Sequence, residues 1–231
     1  MKITNNLKFI LPISVLVTTN GYSCVNCNKQ LQNGIIQSYD LHGFKMFSAF
    51  IVLTIVLALL TYFSLRSYKQ ASAQLFAPQI GAALIIGIGM GGFADGIVLH
   101  QILQWHQMLS DSLPSNTLLN KSVNMFWDGI FHLFTFLATA IGIYLTWRLQ
   151  NSQKTKKSAQ LLIGGSLAGW GIFNLIEGII NHQILKLHNV REITSNPELW
   201  NYGFLIFGIA LIITGFILIK NEIKITDNIS E

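Results

Sequence analysis

The sequence predicts an all-α, polytopic membrane helical bundle: a four-helix core of two parallel helix-pair repeats, plus one or two N-terminal helices. Three observations predict it. The 231-residue chain is 51% hydrophobic and 11% charged, and several runs reach the ~20 apolar residues that cross a ~30 Å hydrocarbon core. The Lys and Arg residues that give a net charge of +5 lie in short loops beside those runs, a pattern of membrane topology that excludes nucleic acid as a partner. Finally, one stretch is used twice. Residues 95–106 read DGIVLHQILQWH and residues 177–188 read EGIINHQILKLH, at a constant offset of 82. Gly87 and Gly89 match Gly169 and Gly171 at the same offset. A Trp-led segment follows each copy, Trp127-Asp128-Gly129 and Trp200-Asn201-Tyr202. An acid, two histidines and a Gln held in register argue for duplication of a two-helix unit.

The chain divides into four parts. Residues 1–45 hold a signal- or anchor-like start, Lys2 and Lys8 followed by a short apolar run, and then a polar stretch with Cys24 and Cys27. The C-x-x-C has no following His, so it is not a haem c attachment site. A disulfide, a soft-metal thiolate pair and two ordinary thiols stay open. Residues 46–77 supply an extra transmembrane helix over Met46–Leu65 and an inner loop. The first repeat, 78–150, has spans over about Pro78–Leu109 and Val123–Trp147. The second, 151–231, has spans over about Ala159–Leu187 and Leu199–Ile219, then a polar tail. Small residues four apart, such as Gly87/Gly91 and Gly165/Gly169, allow close helix contact in lipid.

Orientation follows from the basic residues. With the N-terminus inside, Lys2, Lys8, Arg66, Lys69, Arg148, Lys154, Lys156, Lys157, Lys220 and Lys224 lie inside, against Lys29, Lys45, Lys121, Lys186 and Arg191 outside. This is the expected arrangement of a multi-pass protein of a bacterial inner membrane, with the Cys pair on the periplasmic side.

Within the expected spans the ionisable acids are Asp95, Asp128 and Glu177. An acid at the centre of a membrane helix costs ~2.5–3.5 kcal/mol on insertion scales, so it faces the bundle interior and takes a partner. The histidines His100, His106, His132, His182 and His188 accompany these acids. At 1.5 Å per residue, His100, His132 and His182 fall ~12–14 Å inside the outer helix ends. Asp95, His100, Asp128, His132, Glu177 and His182 are the expected metal ligands, with Asp128 and His132 an i, i+4 pair. His106 and His188 are expected at the outer mouth, as outer ligands or entry-path residues. Gln101, Gln183, Asn174 and Asn201 are candidates to orient the imidazoles. Trp105, Trp127 and Trp200 read as interfacial belt residues.

The helical wheel raises one objection. Asp95 and His100 stand about 140° apart at ~100° per residue, and Asp95 and His106 are ~16 Å apart along an ideal axis. Either each motif helix serves two neighbours, or it is broken near Gly96.

His and carboxylate ligands suit zinc, iron, manganese or copper, in a mononuclear or dinuclear site in the outer half of the bilayer. The expected partners are lipid and metal ion, with a homo-oligomer open. A metalloenzyme, hydrolytic or oxidative, is one reading. A metal-handling protein that passes copper or zinc without turnover is another. Haem b held between two histidines, a proton or ion path, and purely structural polar contacts are the others.

GMGGFADGIVLHQILQWHQMLS, WDGIFH and FNLIEGIINHQILKLHNVRE resemble bacterial membrane proteins classed under domain of unknown function 2243. The resemblance covers about residues 78–220 and implies a four-helix membrane core. The departure is the N-terminal extension with its added helix and Cys pair.

Overall fold

The computed structural model describes residues 28–69, 76–150 and 157–230, so the expected signal or anchor and the Cys24/Cys27 pair lie outside the described residues. Among the described residues, five helices are long and apolar enough to cross a membrane. They are α1 (Lys29–Lys69), α2 (Ala77–Phe93, continued by a wider turn over Ala94–Ile102), α3 (Leu118–Gln150), α4 (Ala159–Glu177, continued by Gly178–Ile184) and α5 (Pro197–Ser230). The architecture is all-α, as the hydropathy demands.

Helix α1 begins well upstream of the apolar run at Met46. Asn28 starts it by accepting from the Gln30 and Leu31 amides at 3.0 and 3.2 Å, which satisfies orphan donors of the first turn. The polar stretch before Met46 is therefore helical from Lys29 on. Helices α2 and α4 pack against each other at the centre, α3 flanks α2, α5 flanks α4, and α1 lies on α2 and α3. The entries of α2 and α4 are tied: Gln79 Nε2 donates to Ser158 O at 2.8 Å and Ser158 N donates to Gln79 Oε1 at 3.0 Å.

The central contact depends on glycine. A Cβ on Gly87 would collide with the Ser166 carbonyl, and one on Gly169 would collide with the Leu84 carbonyl. The two backbones thus touch reciprocally at residues that match across the two motif segments. Gly89 makes the same close approach to Thr139 on α3 that Gly171 makes to Gly208 on α5. Between these contacts Ile85, Ile88, Phe131 and Phe173 are fully or nearly fully buried. The outward faces of α1 and α5 expose Ile51, Ile55, Phe63, Ile206, Ile213 and Phe216. Apolar faces of that extent mark a membrane contact surface.

Candidate metal centre

Both motif segments change pitch at their acid. Ala94–Ile102 and Gly178–Ile184 are wound as π-helix, closed by i→i+5 bonds from Leu103 N to Val98 O and from Leu185 N to Ile180 O, each 2.8 Å. The winding then opens further. Trp105 N reaches Leu99 O and Leu187 N reaches Asn181 O, each at 2.9 Å, around Gln104 and Lys186 at φ 50° and 48°. The two segments follow one backbone course. Gly96 and Gly178 admit it: a Cβ on Gly96 would stand 2.5 Å from His132 Nε2, and one on Gly178 2.7 Å from Leu205 Cδ2.

This pitch answers the helical-wheel objection. An i→i+5 turn sets residues five apart on one face, so His100 Nε2 lies 3.1 Å from Asp95 Oδ2 and His182 Nε2 lies 3.1 Å from Glu177 Oε1. After the left-handed residue the chain folds back. His106 Nε2 comes to 3.7 Å from Asp95 Oδ1, and His188 Nε2 to 3.4 Å from Glu177 Oε1. His106 and His188 are each at most 2% exposed and lie inside the cluster, and each also lines a cavity beside it. A straight-helix distance fails because the helices end at Ile102 and Ile184, short of these histidines.

The two halves meet through the imidazoles. His106 and His188 stack 4.5 Å apart with planes 6° from parallel, and His100–His106 and His182–His188 centroids are 4.3 and 4.9 Å apart. Among the described residues, two groups have potential donor atoms mutually within 4.8 Å, Asp95/His100/His106 and His106/His182/His188. Around a metal with bonds of about 2.0–2.2 Å, tetrahedral ligands stand ~3.3–3.6 Å apart. The carboxylate–imidazole separations of 3.1–3.7 Å bracket that spacing.

Tautomers follow from the neighbours. His100 Nδ1 lies 2.9 Å from Asp128 Oδ1, and His106 Nδ1 lies 2.8 Å from Val190 O. Both acceptors require a proton on Nδ1, so in neutral rings each Nε2 turns a lone pair toward Asp95. Among the described residues neither Nε2 has a hydrogen-bond partner, nor do the two Asp95 oxygens, Glu177 Oε2, or either nitrogen of His182 and His188. Buried polar atoms in such number are rare, and a proton or a metal ion between an imidazole nitrogen and a carboxylate oxygen would satisfy both. Burial, with His106, His182 and His100 around it, holds His188 well below the ordinary histidine range. The donors are nitrogen and oxygen, which suits borderline and hard divalent metals.

Asp128 and His132 separate, although they share a face of α3. Asp128 stands behind His100, accepting the Met108 amide at 2.9 Å and facing Gln101 Nε2 at 3.4 Å. It orients the His100 ring and lies outside both groups of clustered donor atoms. His132 points at Gly96 with its Nε2 unpartnered. Asn201, matching Asp128, accepts the Val190 amide at 2.9 Å and donates to Asn189, so it holds the loop and not a ring. Gln183 Nε2 and both amide atoms of Asn174 have no hydrogen-bond partner among the described residues. Trp127 is buried and donates to Ser38 Oγ at 2.9 Å, which corrects its reading as a belt residue.

Sequence reasoning passed over Glu192, whose carboxylate takes Ser110 Oγ, Asn189 N and Asn189 Nδ2 at 2.9–3.0 Å. With Glu192 N to Trp105 O at 3.0 Å and Asp111 N to Leu187 O at 3.2 Å, it laces together the two loops that carry His106 and His188. A cavity of about 360 Å³, bounded by Asp111, His182, Lys186, His188 and Glu198 among others, borders the cluster at this end.

Fold and site together define an all-helical membrane protein with a buried histidine–carboxylate cluster between its two central helices. A family model described as predicted membrane protein (DUF2243) matches residues 82–222, and the chain belongs to that family. The match takes in both motif segments and leaves out α1. No curated protein and no solved structure matches the chain.

Proposed function

We propose that this is an integral membrane metal-binding protein, with Asp95, His100, His106, Glu177, His182 and His188 as ligands to one or two transition metal ions, zinc, iron or copper. The observation that carries the reading is His100. Its Nδ1 is committed to Asp128 and its Nε2 faces Asp95 Oδ2 at 3.1 Å, the carboxylate–histidine–metal arrangement by which proteins set ligand tautomer and basicity. The matched geometry of the two segments supports an origin by duplication of a helix pair. The basic loops support a bacterial inner-membrane protein with the centre toward the periplasmic side.

A bound metal would supply Lewis acidity or redox chemistry. The chain's own groups then have separate work. Asp128 and the Val190 carbonyl hold two imidazoles in the ligating tautomer. Gln101 reaches Asp128 from the side. Among the described residues no carboxylate stands behind His182, whose ring lies against Phe204 at 5.4 Å. The two halves are therefore unequal, which favours one firmly held ion and one position of weaker hold, as a centre of turnover or transfer requires.

Elemental analysis of protein purified without affinity metals, wild type beside His100→Ala, tests the reading. We expect at least one transition metal per chain in wild type and its loss in the variant. Wild-type protein that carries no metal, and takes up none from zinc, iron(II) or copper(II), overturns it. A specific rival exists: a doubly protonated His100 bridging Asp95 and Asp128, which fits a proton path. That reading predicts a metal-free centre and proton flux abolished by Asp95→Asn.

A further inference from the structure

We infer that the groove between α2, α4 and α5 holds an acyl chain of an anionic phospholipid, whose phosphate is taken by Arg191. The groove has a volume of about 660 Å³, within the ordinary range for small-molecule sites. Trp105 and Trp200 line its loop end. Phe207 lines its deep end, about 10 Å below Trp200 along α5 at ~1.5 Å per residue. Val98, Leu199 and Phe207 in its lining are 42%, 66% and 49% exposed, so the groove opens sideways toward the bilayer. Asp95 and Asn174 also border it, but their polar side-chain atoms are shielded. What a ligand can touch is apolar, and an apolar slot that faces lipid takes a hydrocarbon chain.

The charge sits at the mouth. The Arg191 guanidinium lies 5.1 Å from the Trp105 ring and 5.0 Å from the Trp200 ring, and the two rings meet edge to face at 4.9 Å. A guanidinium over aromatic rings is held by its flat face. Its N–H edge stays free, and that edge matches two oxygens of a phosphate. Among the described residues no carboxylate or carbonyl takes those donors. The neighbouring Glu192 carboxylate is committed to Ser110 and Asn189. Trp105 and Trp200 are thus both the wall of the groove and the seat of the cation, so one pair of rings sets the headgroup over the chain. Charge balance makes the headgroup anionic. A zwitterionic lipid brings a cation of its own, and the ring faces at the mouth that a choline group would seek are taken by Arg191. A lipid of net negative charge instead neutralises a cation held at the edge of the hydrocarbon. This assignment stands apart from the metal reading.

The test uses the whole chain in phosphatidylcholine nanodiscs that carry a small fixed fraction of one probe lipid, phosphatidylglycerol or phosphatidylcholine brominated on its acyl chains. Bromine quenches tryptophan fluorescence on contact, and three of the five tryptophans line the groove. In wild type we expect the brominated phosphatidylglycerol to associate about fivefold more strongly than the brominated phosphatidylcholine. Arg191→Gln should remove that preference and bring both probes to the phosphatidylcholine level. Gly203 lines the groove, and a Cβ built on it meets nothing within 4 Å. Gly203→Leu therefore fills the space without displacing backbone, and it should lower quenching by both probes. Lys121→Gln is the charge control. Lys121 is bonded to Gln104 at the same end of the bundle and lies outside the groove lining, so the preference should survive its loss. Equal quenching by the two probes in wild type overturns the proposal. So does an equal loss of preference in Arg191→Gln and Lys121→Gln, the signature of general surface charge.

Discussion

Asp128 Oδ1 accepts the Met108 amide at 2.9 Å and stands 2.9 Å from His100 Nδ1, so one oxygen on α3 fixes both the loop after the wide turn and the ring of a candidate ligand. This couples the course of the backbone to the state of the site. Disturbing Asp128 should weaken metal binding without removing a ligand. For Asp128→Asn we expect metal affinity to fall ~10–100-fold, read by competition with a chelator of known affinity. Asp95→Asn should abolish binding, and equal effects from the two changes would contradict the division of roles.

The reciprocal contact of Gly87 with Ser166 and Gly169 with Leu84 involves backbone on both sides, and backbone cannot yield as a flexible side chain can. Gly87→Leu should force α2 and α4 apart, lower stability by ~1–3 kcal/mol or more, and release the metal as the two halves of the cluster part. Gly129, whose Cβ would meet nothing within 4 Å, is the control. Gly129→Ala should be neutral or stabilise by up to ~1 kcal/mol. Thermal unfolding in one detergent reports both.

Lys186 holds a left-handed conformation at φ 48° and is exposed. A residue with a Cβ loses ~1–2 kcal/mol in that region, whereas glycine enters it freely. Lys186→Gly should therefore leave the backbone course intact and hold or raise the unfolding temperature. A marked fall would show that the Lys side chain, not the turn, matters at this position.

His188 titrates below the ordinary value of 6.5, because burial and the surrounding imidazoles oppose its charge. The sign follows directly. Below about pH 6.5 the unfolded chain takes up a proton that the folded chain refuses, so stability is complete above that pH and declines as the pH falls through it toward the folded value. In chelator-treated protein we expect this acid-side loss to approach ~1.4 kcal/mol per pH unit for the one group. His188→Leu should flatten that part of the profile, and an unchanged slope in the variant would refute the assignment.

Much of the bundle was legible in the chain. The apolar runs demand helices of membrane length, because backbone groups in hydrocarbon must bond within their own segment. The doubled acid-Gly-Ile-x-x-His-Gln-Ile-Leu-x-x-His pattern marked six of the cluster residues by kind and number, and the matched glycines marked where helices touch. Helix ends were less legible. Asn28 starts α1 ahead of Met46 because capping is a local hydrogen-bond event that hydropathy does not register.

By itself, then, the sequence determined that acids and imidazoles lie in apolar helices and therefore need partners. Only the tertiary structure decided who those partners are. Asp95 meets His100 because a turn holding more residues brings residues five apart toward one face, and it meets His106 because the chain reverses at Gln104. Asp128 and His132 part company because α3 presents one to the loop amide of Met108 and the other to the bare backbone of Gly96. Spacing along a chain predicts contacts only where the winding is regular, and this site is built where the winding changes.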